Sequence, residues 1–209
     1  MLNRRKLVHG VGINDADYSV TGKDRKQCRF YARWRGMLNR CYNHKMLKDH
    51  PTYADCFVCA EWVYFSNFKA WMETQDWEGK ELDKDILIVG NKEYGPDTCV
   101  FVDRKVNVFI TDCSASRGMW PIGVVFDKRV EGKPYRSICS SVVTGKQKEL
   151  GLYATPEEAH QAWLVFKLEQ AYILAAQQTD ERISKALISR YKNDAQHLFD
   201  QAMSWFEEE

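Results

Sequence analysis

Two aspartates flank a lysine at residues 83–85, inside the segment ELDKDILIVGNKEYGPDTCVFVDRKVN that runs from 81 to 107. Paired carboxylates supply the hard oxygen ligands that Mg²⁺ or Mn²⁺ prefers, and a metal held there lowers the pKa of a bound water. Lys84 is poorly matched to general-base work. Its ordinary pKa, about 10.4, lies roughly three units too high, and flanking aspartates stabilise the ammonium further. As a permanent cation it suits electrostatic stabilisation of a phosphorane instead. A surface strand with an Asp–Lys salt bridge and no metal fits the same residues, and the sequence leaves both readings open.

Cys56 and Cys59 form a C-x-x-C, with Cys41 upstream and Cys99 downstream. Four thiolates of this kind make a structural zinc site; four small buried thiols explain them equally. Seven cysteines, an odd number without the spacing of a disulfide scaffold, point to reduced thiols and a cytoplasmic chain. His44 and His50 fall between two helical stretches, and His9, His160 and His197 have no motif around them.

The elements that must position these groups show in the periodicity. Phe30, Trp34, Met37, Leu38 and Cys41 recur at helical spacing from Arg29 on, with Arg33, Arg35 and Arg40 between them as candidate phosphate contacts or a solvated face. Trp62, Phe65, Phe68 and Trp71 are the expected hydrophobic centre of the first domain. LDKDILIV is strand-like, GNKEYGPD a turn-rich loop, TCVFV a second strand and DRKVNVFI a helix start. Residues 111–121 are small and polar, a linker. IGVVFDKR, YRSICSS and QKELGLY then form a three-strand meander. Thr155, Pro156 and Glu158 carry the start signal of a helix, N-cap, first turn and capping box. A last amphipathic stripe runs Ile183, Leu187, Tyr191, Leu198, Ala202, Phe206.

Charge is segregated. Residues 1–50 hold twelve Lys and Arg against four Asp, residues 51–120 seven basic against twelve acidic, and residues 121–150 six against three. Basic segments flanking an acidic middle suit a phosphate polymer that meets a bound cation. Aromatic content of 13% with seven Trp serves cores and base-stacking surfaces alike. No apolar run reaches membrane-helix length, and no apolar signal core follows the basic N-terminus.

GVVFDKR, KPYRSICS and GKQKELGLYATPEEAHQAW, within residues 118–172, resemble the DNA-binding domain of the APETALA/ethylene-response-factor family in its phage and mobile-element versions. In that family a three-stranded sheet lies in the major groove with a helix behind it. The resemblance implies groove-facing Val125, Asp127, Arg129, Tyr135, Arg136, Gln147 and Glu149, with Lys128, Lys133, Lys146 and Lys148 on phosphates. A one-residue register error exchanges this set for its neighbours. YARWRGMLNRCY, CAEWVYFSNFKAW and the 82–107 segment are similar to HNH-type endonucleases found beside such modules in phage genomes. That resemblance implies a ββα unit in which Asp83, Asp85 and Asn107 hold the metal and Asn91 is the polar loop residue. The family's general-base histidine has no counterpart, because Lys84 stands there; Lys84 and Asn91 would then orient or stabilise the phosphate.

The expectation is an α+β chain. A basic arm (1–29) precedes an HNH-like ββα-metal domain with aromatic-rich helices (30–112). A three-stranded antiparallel sheet plus helix (118–176) and a C-terminal amphipathic helix (180–207) follow. The implied function is binding of double-stranded DNA and Mg²⁺- or Mn²⁺-dependent homing-type cleavage. The alternative is a catalytically idle DNA-binding regulator, or a phage inhibitor acting on a protein partner. A homodimer through the C-terminal helix is a further candidate; a membrane partner is not expected. The expected location is the cytoplasm, that of a bacterial host for a phage-encoded chain.

Overall fold

The structure, a computed structural model, describes residues 6–111 and 118–207, the side chains of 194 and 196–207 excepted. It is an α+β chain that divides into two compact units, one up to Asn107 and the other from Val108 on. Most of the expected linker, residues 112–117, lies outside the described residues. No described helix is long and apolar enough to cross a membrane.

The first unit is built on indoles and phenyl rings. Helix α1 (Arg29–Tyr42) and helix α3 (Phe65–Glu73) carry apolar residues every three or four positions and so bury one stripe each. Trp34, Trp62, Phe65 and Phe68 are at most 1% exposed, and Trp34 Nε1 donates to the Trp62 carbonyl at 2.7 Å, so the buried indole is satisfied. Between these helices lie α2 (His44–Asp49) and the short strand β1 (Phe57–Val58).

The expected N-terminal arm is, from residue 6, woven into this core. Ile13 N–H donates to the Val63 carbonyl and Phe65 N–H to the Ile13 carbonyl. Gly12 lies so close to α1 that a Cβ there would meet Leu38 at 2.3 Å. Tyr64, the N-cap of α3, makes no side-chain cap bond; Asp15 supplies it, accepting from Ser66 N–H at 2.9 Å and from the Ser66 hydroxyl. A cap contributed from 51 residues away leaves no local signature, which is why periodicity alone shows no attachment for this segment.

Strand β2 (Glu81–Asp83) pairs antiparallel with β4 (Val100–Val102), and α4 (Arg104–Ile110) follows directly. This is the strand–loop–strand–helix order, with two departures. The first strand stops at Asp83 rather than running to residue 89. The loop contains β3 (Glu93–Tyr94), which leaves this ladder and pairs parallel with β1. The division between the units falls inside α4.

The second unit holds the meander β5 (Val124–Phe126), β6 (Tyr135–Ser140) and β7 (Gln147–Tyr153), then α5 (Pro156–Ala175) and α6 (Glu181–Glu207). The capping box forms as read: Glu158 N–H donates to Thr155 Oγ1, and Thr155 N–H to the Glu158 carboxylate. Ile183, Leu187 and Tyr191 of the α6 stripe are buried, while Leu198, Ala202, Phe206 and His197 lie outside the described side chains. Gly123 has φ +83°, and a Cβ there would stand 2.0 Å from Trp163 Cδ1, so β5 enters the sheet against the indole face.

Lys167 of α5 points inward. Its ammonium donates to the Phe109 carbonyl at 2.8 Å, sits 3.5 Å from the Phe109 ring centroid and lies near Trp163 and Tyr191. Desolvation, aided by Arg190 of α6 and opposed by Cys139 of β6, lowers its pKa to about 8.

Two outcomes test this packing. Gly123→Ala combines a strained φ with overlap on Trp163 and is expected to cost about 3 kcal/mol or more in urea unfolding. Because the folded pKa of Lys167 lies below the ordinary value near 10.4, stability is gained as pH rises through about 8. Calorimetry at pH 7 and pH 9 should show a gain of about 1 kcal/mol that Lys167→Met abolishes.

Candidate functional site

The end of β2 brings together Asp83, Lys84, Asp85 and Asn91. Asp83 Oδ1 accepts from the backbone N–H groups of Asp85 at 2.8 Å and Ile86 at 2.7 Å. A side chain that bonds to the amides two and three residues on competes with the sheet ladder, so the strand ends there. Burial pushes the Asp83 carboxyl up from its ordinary pKa, with these amides opposing.

Lys84 turns inward and is 5% exposed. Its ammonium donates to Asp85 Oδ1 at 2.6 Å and to the Asn91 carbonyl at 2.6 Å, and faces the Tyr94 ring. Asn91 answers reciprocally: Nδ2 donates to the carbonyls of Lys84 (2.9 Å) and Glu93 (2.7 Å), and Oδ1 accepts from Glu93 N–H. The two side chains thus close the loop from 84 to 91 from both ends. Lys84 and Asn91, expected on the phosphate, are committed to partners within the protein, the Asp85 carboxylate and backbone groups. The reason is depth, since an ammonium this buried must be paired inside.

Asn107 of α4 donates Nδ2 to Glu81 Oε2 at 2.6 Å, tying the helix to the first strand. Glu81 is the residue that sequence reasoning passed over. Its signal was parity, because residues 81 and 83 share one face of a strand. Among the described residues no group of three or more His, Cys, Asp or Glu side chains is arranged to hold a metal ion. Asp83, Asp85 and Asn107 lie in one neighbourhood of the fold but each is engaged by a different partner.

The four cysteines considered for zinc do not converge either. Cys41, Cys56 and Cys99 are buried and Cys59 is partly buried, all as free thiols. Burial raises Cys41 and Cys99 to about 12, which favours the neutral thiol. They pack as small core residues.

Of the first-unit arginines, Arg33 donates to the Lys80 carbonyl at 2.7 Å and Arg35 is exposed beside Gln27. Arg40 lies half-buried against Tyr94 and Tyr53.

In the second unit the register fixes which side chains share a face. Val124, Ser137 and Cys139 are buried toward α5. The other face therefore carries Val125, Arg136, Leu152, Ile138, Glu149, Ser140 and Gln147. Arg136, in the central strand, is held between Asp127 (3.2 Å) and Glu149 (3.3 Å). Asp127 also receives the Arg129 fork at 2.8 and 2.7 Å, and these bonds hold its carboxyl well below the usual range. Lys128, Arg129 and Lys133 are exposed in the β5–β6 turn, and Lys146 in the β6–β7 turn.

Tyr135, expected to face the groove, and Lys148, expected on a phosphate, lie on the face opposite Arg136. Tyr135 shares the face of Ser137 and clusters with Trp120 and Phe126. Adjacent strand residues point oppositely, so Tyr135 and Arg136 never belonged to one surface. Lys148 pairs with Cys139, and its ammonium lies 4.7 Å from the Phe166 ring centroid of α5.

Because Lys84 is a buried strut, Lys84→Ala is expected to destabilise the protein by about 2–3 kcal/mol in urea unfolding. Lys84→His, too short to bridge both acceptors, should cost a comparable amount; unchanged stability in both would remove the strut. Compared with protein-family models, with curated proteins and with solved structures, the chain matches none.

Proposed function

We propose that this protein binds double-stranded DNA through the outer face of the β5–β7 sheet. The observation that carries the reading is Arg136. Its guanidinium sits at the centre of that face, prealigned by Asp127 and Glu149, with Gln147 on the same face. A fixed arginine fork beside an amide is the donor and acceptor set that reads base edges in a major groove. Lys128, Lys133 and Lys146, exposed on the turns, suit phosphate contacts that position the sheet. The likeness to APETALA-type modules supports the same face.

A second reading, metal-dependent cleavage in the HNH manner, rests on the carboxylates of Asp83 and Asp85 at the end of β2. With Lys84 buried, the proposed chemistry leaves proton abstraction to a group other than the lysine. Asp83 and Asp85 would hold Mg²⁺ or Mn²⁺, which when bound would acidify a water. A DNA-binding regulator that does not cleave uses the same sheet face.

Fluorescence anisotropy with a duplex library separates these. Arg136→Gln should weaken selected-site binding by about 1–3 kcal/mol. Lys148→Gln, on the opposite face, should leave it within about 0.5 kcal/mol. Equal losses, or no duplex binding at all, would overturn the sheet-face reading. Nicking of supercoiled plasmid with Mg²⁺ or Mn²⁺, lost in Asp83→Ala/Asp85→Ala while the gel shift persists, would establish cleavage. Binding without nicking would leave the regulator.

A further inference from the structure

The arginines of α1 are not equivalent. Arg29 pairs with Glu78, Arg33 bonds the Lys80 carbonyl and Arg35 meets Gln27 in solvent. Arg40 is half-buried and makes no ion pair among the described residues. Its guanidinium carbon lies 5.3 Å from the Tyr94 ring centroid and 6.0 Å from that of Tyr53, and Nε donates to Tyr94 Oη at 3.0 Å. A cation withdrawn from water without a counter-ion is costly, and ring faces offset only part of that.

Of the two ammonium groups nearby, Lys84 is neutralised by Asp85, whereas Lys92 donates to a backbone carbonyl. The Lys84 ammonium faces the same Tyr94 ring, and Lys92 lies beside Ala54, the residue after Tyr53. Tyr94 accepts from Arg40 and, at 2% exposure, serves as a buried wall. Burial holds that phenol well above its ordinary pKa and so keeps it neutral. Guanidinium Nη donors and the Lys92 ammonium form the donor set here, the Asp85 carboxylate being taken up by Lys84. Planar forks of this kind match phosphate.

We infer that Arg40, with Tyr53 and Tyr94 as walls, forms a binding site in the first unit for a phosphate group of the DNA backbone. The site is separate from the sheet face and gives the first unit its own hold on the polymer. As far as the phosphate is DNA's, the inference rests on the DNA-binding reading, and the experiment is arranged to part the two.

The full-length protein is labelled with ¹⁵N at arginine Nε and titrated first with inorganic phosphate, then with a short duplex. The Arg40 signal is expected to shift with both. In Arg40→Gln, duplex affinity is expected to fall about tenfold, and the slope of log affinity against log salt to lessen by about 1. An Arg40 signal unmoved by both, or an Arg40→Gln protein with wild-type affinity and slope, overturns the inference. Duplex binding with Arg40 unmoved overturns it too and leaves the sheet-face reading intact. A shift with phosphate in a protein that binds no duplex sinks the DNA reading and keeps the site as one for free phosphate. The wild-type shifts decide alone if Arg40→Gln does not fold.

Discussion

The buried ammonium of Lys84 is the constraint around which the first unit's strand–loop–strand–helix is arranged. A charge at 5% exposure has to be met by acceptors close by, and here they are the Asp85 carboxylate and the Asn91 carbonyl. Asn91 must therefore come back to residue 84, and the loop between them closes. Asp83, capping the amides of 85 and 86, bends the chain so that Lys84 leaves the strand direction and enters the core. Once the loop is closed, Glu93 and Tyr94 are set down beside Phe57 and Val58 as a parallel pair, and Tyr94 is carried to Arg40. One inward lysine thus fixes the loop, joins a second small sheet and brings Tyr94 against Arg40.

The second unit rests on a different constraint, alternation in a three-stranded sheet with one covered face. Val124, Ser137 and Cys139 go under α5, so Arg136 and its neighbours in register go out. Trp163 sets how closely β5 approaches, which is why residue 123 is glycine at positive φ. The outward arginine is then aligned by carboxylates from both sides.

Much of this was legible in the chain. The α+β class, the meander, the capping box at Thr155 and the aromatic centre at Trp62, Phe65 and Phe68 follow from local spacing and propensity, which short-range physics enforces. What was misread shares one cause. The attachment of residues 6–27, the short first strand, the hidden β3 and the inward course of Lys84 are set by partners far away in sequence or by depth. Neither distance nor depth has a period. Tyr135 is the exception, since alternation alone forbids it from joining Arg136 on one face.

The sequence by itself determined which elements form and which residue types are on hand: oxygen ligands near 83–85, donors on the meander, arginines along α1. Those are properties of nearest neighbours along the chain. Only the tertiary structure decided which of these groups remain available to a partner. Lys84, Asn91 and Arg33 are consumed in holding the fold, whereas Arg136 lies on the outer sheet face between two carboxylates and Arg40 half-buried between tyrosine rings. The reason is physical: a polar group that becomes buried has to satisfy its hydrogen bonds inside the protein. Burial is settled by the packing of the whole unit.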